Sequence, residues 1–337
     1  EPRLTLSAIM DFDHEANFIS GTLHPSVIKS QRRFTYTEVH RMLEEEEDDP
    51  LMPTLTDMHR LSQLLRQKRF KNGSVDFQVP EPEIHIDSAG HVERIGIAEH
   101  NSAHELIEEF MLAANQFVAL NLHERGIPSI HRIHEAPDPE RLRGFNEYID
   151  SFGLKIPSPV RSTDLQALLE KINDRPEERV VNTLLLRTMK KARYSETDPG
   201  HFCLGFPHYA HFTSPIRRYP DLMVHRIIKK YLKRKCPQKD KKGLYSRLAE
   251  ISEQSTQMEI QAMAISREVT DLRRTQFMVD KVGHTFHGII TGVTGFGFFA
   301  ELEEVFVEGL VKISSIMDDY YLFIETEHRL IGQKRHR

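Results

Sequence analysis

The stretch from Tyr209 to Arg226 constrains the fold of this chain more than any other, because it joins a stiff loop to a helix. Pro215 and Pro220 lack an amide donor, and each disfavours helical geometry in the residue before it, so the first half cannot form a long helix. Beyond Pro220, apolar residues recur at helical spacing at Leu222, Val224, Ile227, Ile228 and Tyr231. The sequence therefore predicts a rigid loop that leads directly into a helix.

The loop carries two adjacent arginines, Arg217 and Arg218. A guanidinium can make two parallel hydrogen bonds to phosphate or carboxylate oxygens, and a rigid loop reduces the entropy lost when the side chain is ordered. The pair therefore indicates either a phosphate site or a surface ion pair with one of the many carboxylates of the chain. The net charge of −5 does not indicate a nucleic-acid-binding protein, so any basic surface must be local.

Length and composition are typical of a globular protein with about two domains. The chain has 337 residues, of which 39% are hydrophobic and 28% charged, enough to bury a sizeable core. The two cysteines, Cys203 and Cys236, argue against a disulfide framework and are typical of a reducing cytoplasm. The sequence has no apolar run long enough to span a bilayer and no secretory signal, so we expect a cytoplasmic protein that does not contact membranes.

Two segments resemble the ribonuclease II / ribonuclease R (RNB) family of processive 3′-to-5′ exoribonucleases. The run from His211 to Asp221, continued by Val224, His225 and Arg226, is similar to the signature loop of that family. The strongly helical run 101–115 is similar to the family's helix beside the catalytic channel. The Gly-Phe-Gly-Phe-Phe run at 295–299 favours the ribonuclease R branch. The resemblance implies hydrolysis of single-stranded RNA from a free 3′ end to nucleoside monophosphates.

The resemblance also implies roles for individual residues. Arg217, with Arg218 as the second candidate, would neutralise charge on the scissile phosphate. The RNA-binding candidates in this part of the chain are Tyr36, His131, Tyr209, His211 and Ser214. Tyr36 and His131 match the two rings that sandwich terminal bases in the family, although His131 stands where bacterial enzymes usually have Phe. Stacking on a planar ring is worth about 1–3 kcal/mol per base, and a histidine stacks more weakly with a pH-dependent charge.

The resemblance implies two Mg²⁺ ions, which would activate water and stabilise the leaving oxygen. In the family the aspartate cluster that binds them lies well upstream of the segments seen here, so we expect the magnesium ligands outside these residues and assign no metal ligand within them. Asp11 and Asp13 could hold a cation, but a charged hairpin turn explains them better. We also expect the chain to be part of a longer protein.

The predicted fold class is α+β. An RNB-type catalytic domain with a mixed sheet and several helices is expected over residues 1–279, followed by a partial OB-fold barrel over residues 280–337. The second segment is β-branched, aromatic and punctuated by glycines, as in small barrels. Within it, Phe296 and Phe298 either stack on RNA bases or belong to the barrel core.

A long helix is predicted from Pro176 to Tyr194, with a basic end at Arg187, Lys190, Lys191 and Arg193. This end would place positive charge beside the signature loop.

Two function classes remain open from the sequence. The first is an exoribonuclease, expected to act as a monomer on single-stranded RNA. The alternative is a non-catalytic relative that holds RNA 3′ tails without cutting them. A protein-interaction scaffold is a third and less specific alternative.

Overall fold

The computed structural model describes residues 1–45, 48–75, 77, 82–175, 177–232, 234, 236–303, 305–324 and 329–334. The chain is a mixture of helices and small antiparallel sheets, as the predicted α+β class requires. Its first element is a long hairpin of β1 (Arg3–Phe12) and β2 (Phe18–Ile28). The turn between them is built on Asp13, whose Oδ1 accepts hydrogen bonds from the amides of Glu15 and Asn17 (2.9 and 2.7 Å).

Two helices and a second hairpin follow. They are α1 (Tyr36–Glu45), α2 (Met52–Lys71), β3 (Pro82–Ile86) and β4 (Val92–Ile97). α1 and α2 pack on each other and on the next helix through a small cluster that contains Val39, Met42, Leu55 and Ala103.

The central helix, α3 (Ser102–Glu124), has 23 residues, and Asn101 caps its N-terminus. The side chain of Asn101 accepts hydrogen bonds from the amides of Ala103 and His104, and the side chain of His104 accepts one from the amide of Asn101. Ser102 followed three residues later by Glu105 is a pattern that predicts a capping box starting at Ser102, but the cap is Asn101, one residue earlier. The other half of α3 buries Phe117, Val118 and Leu122 in the largest core, against β1, β2 and the helix after the signature loop.

A short sheet joins β5 (His131–Ile133) to β6 (Arg193–Ser195). Between these strands lie α4 (Pro139–Asp150), α5 (Ser162–Ile172) and α6 (Glu178–Thr188), which form a second core around Ile149, Leu165 and Leu185.

The prediction of one helix from 176 to 194 is wrong at its C-terminal end. α6 ends at Thr188, Met189 has extended geometry, and Arg193 lies in β6. Pairing of β6 with β5 competes successfully with helical propensity here, because the strand completes a sheet beneath the signature loop. Lys190 and Arg193 both contact Glu135 (3.0 and 3.6 Å) instead of extending a basic helix end. The predicted start at residue 176 lies outside the described residues.

The signature loop leads into α7 (Tyr219–Tyr231), and α8 (Gln238–Met278) follows with 41 residues. The C-terminal module contains a three-stranded antiparallel sheet of β7 (Gly288–Thr294), β8 (Gly297–Leu302) and β9 (Glu308–Lys312). It also contains an antiparallel pair of β10 (Tyr321–Ile324) and β11 (Arg329–Gly332), and β11 contacts β7. Within the described residues these strands form an open arrangement and not a closed barrel. A search of the described helices finds none that combines the length and apolarity required to cross a bilayer.

Candidate nucleic-acid interface

The signature loop is held from its own helix by Asp221, which is completely buried near the start of α7. One oxygen of Asp221 accepts hydrogen bonds from the amide of Ser214 and from a guanidinium nitrogen of Arg218, both at 2.8 Å. Further along α7, Nε2 of His225 donates to the carbonyl oxygen of Phe212 (2.9 Å), and its ring stacks on the Phe212 ring. Asp221 and His225 therefore orient the loop from within α7.

α3 holds the same loop from the other side through Asn115, which is only 3% exposed. Oδ1 of Asn115 accepts hydrogen bonds from the amides of Phe212 and Thr213 (2.8 and 3.2 Å). Its Nδ2 donates to the hydroxyl of Tyr209 (3.1 Å). Since every hydrogen-bonding group of the Asn115 side chain except one N–H is directed at the loop, the path of the loop is set by α3 as much as by its own prolines.

The floor of the loop is formed by Tyr194, His211 and Arg132. The hydroxyl of Tyr194 in β6 and Nδ1 of His211 form a hydrogen bond of 2.9 Å, and the guanidinium of Arg132 lies over the Tyr194 ring at 4.7 Å. Burial, followed by the positive charges of Arg218 and Arg132, lowers the pKa of His211 to about 2. His211 is therefore neutral at any working pH, and the positive charge in this region belongs to the arginines.

Arg132 is itself held in place from two directions. Its guanidinium makes a bidentate pair with Glu259 of α8 (2.6 and 3.1 Å), and its amide donates to the carbonyl oxygen of Tyr209 (2.9 Å). The sequence alone gives no reason to select Arg132, because its partners come from distant parts of the chain.

The two arginines of the loop are in different situations. Arg218 is paired with Asp221 and its side chain is 21% exposed. Arg217 is exposed, and its guanidinium makes no ion pair or hydrogen bond with any residue in the described ranges. Since paired guanidiniums are already neutralised, Arg217 is the arginine of this loop whose charge remains available to a ligand.

The other residues predicted in the loop differ in exposure. Tyr209 is 5% exposed and His211 is half-buried, so both shape the loop from beneath. Ser214 is half-buried, and its hydroxyl has no hydrogen-bond partner within the described part of the chain. Ser214 and Arg217 thus have unused donors, as do the buried hydroxyl of Thr213 and the buried Nε of Arg218.

Tyr36 lies away from the loop, at the start of α1, and is 46% exposed. One face of its ring is stacked on His104 of α3, with ring centroids 4.0 Å apart and an interplanar angle of 19°. The ring borders a mostly apolar cavity of about 410 Å³ between α1, α2 and α3. This arrangement leaves a planar surface braced on one side, as a stacking platform requires.

His131 lies in β5 and is only 6% exposed. Its neighbours are Asp198, 3.5 Å from Nδ1, and the histidines His123 and His208. Burial is the main cause that lowers the pKa of His131. The backbone hydrogen bond between Arg132 and Tyr209 places His131 close to the signature loop. The ring of His131 is nevertheless buried, whereas the ring of Tyr36 is exposed.

The two phenylalanines of the C-terminal module are also unequal. Phe296 lies in the β7–β8 turn and is 59% exposed, while Phe298 lies in β8 and is half-buried. The exposed ring of Phe296 is available for contact with another molecule.

The described residues do not fit a magnesium site. Mg²⁺ prefers oxygen ligands, usually carboxylates and waters. Within the described part of the chain, the one group of three or more metal-binding side chains consists of His123, Asp198 and His208, with two imidazoles and a single carboxylate. Asp221 offers a second buried carboxylate, but one of its oxygens is already bonded to Arg218 and Ser214.

Comparison with known proteins places these observations in a family. The family profile described as "RNB domain" matches residues 1–234, and the profile described as "S1 RNA binding domain" matches residues 279–335. Ribonuclease R of Aquifex aeolicus is 40% identical over 98% of this chain, and ribonuclease R of Escherichia coli is 35% identical over 98%. The chain spans 48% and 42% of these two relatives, or about half the length of the curated relatives it matches.

Solved structures show the same likeness. Mycoplasma genitalium RNase R in complex with ribose methylated single-stranded RNA matches the whole chain with a TM-score of 0.94 and 30% identity, and the match covers 54% of that protein. Yeast Ssd1, described as a pseudonuclease, matches 99% of the chain and 42% of that protein with a TM-score of 0.73, but at 19% identity it shares the fold alone.

The family match covers more than half of the chain and includes the signature loop, α3 and the floor beneath the loop. An S1 module of OB-fold type follows it in the sequence, as the glycine-punctuated strands predict. The chain therefore belongs to the RNB family of ribonucleases.

Proposed function

We propose that the protein containing this chain is a processive 3′-to-5′ hydrolytic exoribonuclease that degrades single-stranded RNA with a free 3′ end to nucleoside monophosphates. The observation that carries this proposal is the unpaired guanidinium of Arg217 on a loop fixed by Asn115 and Asp221. The proposal is supported by the ribonuclease R relatives and by the neighbour structure solved with single-stranded RNA.

In this proposal Arg217 binds the phosphate whose ester bond is broken. A preorganised guanidinium that faces developing negative charge lowers the barrier without moving during the reaction. Arg218 is the second candidate, and its bond to Asp221 also lets it hold Arg217 in position. Ser214 is proposed to donate its free hydroxyl to a neighbouring phosphate oxygen.

Base contacts are proposed on both domains. Tyr36 would stack on a base with its open face. Phe296 would do so on the S1 module, together with Phe298 two residues further along, in β8. Stacking on His131 stays a prediction, for which the ring would first have to become exposed. Tyr209 and His211 contribute by shaping the loop, through their bonds to Asn115 and Tyr194.

Magnesium is proposed as the cofactor of the whole protein, where it would supply Lewis-acid chemistry at the scissile phosphate. Its ligands are expected outside these 337 residues, because the carboxylates described here do not form a suitable oxygen set.

We also propose a monomeric, cytoplasmic protein, with the catalytic domain over residues 1–279 and the S1 domain over residues 280–337. Light scattering on a sizing column tests the monomer.

A non-catalytic RNA-binding protein is the second candidate. The observation that favours it is that the described residues lack a carboxylate cluster for Mg²⁺. Such a protein would use the same loop to hold RNA without cutting it.

The test is degradation of RNA labelled at the 3′ or the 5′ end, in Mg²⁺, by the whole protein and by its Arg217→Ala variant. We expect labelled mononucleotides at once from the 3′-labelled RNA, and a rate at least about 100-fold lower for Arg217→Ala. Arg247→Ala is the matched control, since Arg247 is an exposed arginine on α8 without a partner among the described residues. RNA binding without release of mononucleotides would support the second candidate and refute the first.

A further inference from the structure

A cluster of metal-binding side chains lies beside the signature loop, outside the arginine site. His123 comes from the last turn of α3, His131 from β5, Asp198 from the turn after β6, and His208 from the segment just before Tyr209. The ligand atoms of His123, Asp198 and His208 all lie within 4.8 Å of one another. Three chain segments thus bring one carboxylate and two imidazoles together, and Nδ1 of His131 lies 3.5 Å from the same carboxylate.

The distances around Asp198 suit a small cation with nitrogen and oxygen ligands. Oδ2 of Asp198 lies 2.7 Å from Nδ1 of His208, 3.5 Å from Nδ1 of His131 and 3.9 Å from Nδ1 of His123. Ligand atoms of a tetrahedral Zn²⁺ site, with bonds of about 2.0–2.1 Å, lie about 3.3 Å apart. The two longer separations lie at or somewhat above that value, whereas the shortest is a hydrogen bond between His208 and Asp198 that a bound ion would replace.

Two buried atoms in the cluster have no partner. Nδ1 of His131, in a side chain that is 92% buried, makes no hydrogen bond, and Oδ1 of Asp198 makes none either. Buried polar atoms without partners are costly, and an ion would supply what these atoms lack.

The site also has an entrance. The side chain of His123 is 53% exposed, while those of Asp198 and His208 are 12% and 20% exposed. The ring of His123 is stacked face to face on the ring of His208, with centroids 3.8 Å apart, so binding of one ion by both rings would require the exposed His123 to rotate.

We propose that His123, His131, Asp198 and His208 form a binding site for a divalent transition-metal ion of the Zn²⁺ type. Three imidazoles and one carboxylate select such ions over Mg²⁺, which takes oxygen ligands. The ion would connect the C-terminal end of α3, β5 and the segment that enters the signature loop. Its role is structural, because Arg217 and Arg218 are not among its ligands.

The test is binding of Zn²⁺ to the purified 337-residue chain by titration calorimetry and by elemental analysis after dialysis. We expect one equivalent to be retained in the presence of excess Mg²⁺, and Co²⁺ to give the visible absorption of a tetrahedral site. Asp198→Asn and His208→Ala should each weaken Zn²⁺ binding by at least about tenfold. His91→Ala is the control, since His91 is 81% exposed and remote from the cluster in the fold.

Loss of folding would be separated from loss of binding by circular dichroism without metal. If Asp198→Asn does not fold, His123→Ala serves instead, because the exposed His123 can be removed without opening the core. Zn²⁺ should raise the melting temperature of the wild type and leave that of His123→Ala nearly unchanged. Equal Zn²⁺ binding by the wild type and His123→Ala, or displacement of the ion by Mg²⁺, would overturn the proposal.

Discussion

Replacement of Asn115 by alanine tests how the signature loop is held. Asn115→Ala removes the acceptor for the amides of Phe212 and Thr213 and the donor to the hydroxyl of Tyr209. A buried hydrogen-bonding group left without a partner costs about 1–3 kcal/mol. Phe212 and Tyr209 are each 5% exposed, while Thr213 is half-buried and can recruit water. We therefore expect the free energy of unfolding to fall by about 2–5 kcal/mol.

Urea denaturation followed by circular dichroism measures this loss, and fluorescence anisotropy with labelled single-stranded RNA measures its effect on binding. RNA affinity should fall as well, because Arg217 is presented by the segment that Asn115 fixes. The control is Gln116→Ala on the same helix, since Gln116 makes no side-chain hydrogen bond with the residues described and should lose less than about 1 kcal/mol. A loss of stability in Asn115→Ala no larger than that of Gln116→Ala, with unchanged RNA affinity, would refute the reasoning.

Three further outcomes are expected. Tyr36→Ala should weaken binding of single-stranded RNA by about 1–3 kcal/mol in a filter-binding assay, while Tyr36→Phe should keep the wild-type affinity. Equal RNA affinity of the two variants would contradict stacking. Gly297→Ala should lower the free energy of unfolding of the S1 module by about 1–3 kcal/mol, because a Cβ there would overlap the carbonyl oxygen of Val311. Gly309→Ala is the control and should leave the stability unchanged, because a Cβ at that position would have no atom within 4 Å. Acid should destabilise the protein below pH 6.5, the ordinary pKa of histidine, because burial lowers the folded-state pKa of His201 to about 3 and that of His211 to about 2, while the unfolded chain binds those protons. Each of these two histidines contributes a loss of up to about 1.4 kcal/mol in the free energy of unfolding per pH unit. Urea midpoints that stay constant from pH 7 to 5 would contradict this.

Features that depend on residues close together in the sequence are predicted well. The prolines of the signature loop predict a stiff turn that leads into α7, and four of the five apolar positions predicted for that helix, Val224, Ile227, Ile228 and Tyr231, are buried. The resemblance supplies the family and the order of the two domains, which the comparisons confirm.

The remaining features depend on pairing between distant segments, which a sequence pattern does not reveal. β6 forms because β5 is beside it, so the helix predicted through residue 194 ends early at Thr188. The difference between Arg217 and Arg218 is likewise invisible in the sequence, since it arises when Asp221 folds back onto the loop. The histidine cluster could have been noticed only as isolated histidines, because its four members come from four different segments.

The rigidity of α3 has a consequence for the length of RNA that the protein can grip. His104, which braces Tyr36, and Asn115, which holds the signature loop, are eleven residues apart on this helix, a separation of about 16 Å along its axis. In the proposed function this separation fixes the distance between the stacked base and the bound phosphate. Four residues inserted between them would add about 6 Å and restore nearly the same helical face. The shortest RNA that reaches both contacts should then become longer, with the chemistry at Arg217 unchanged.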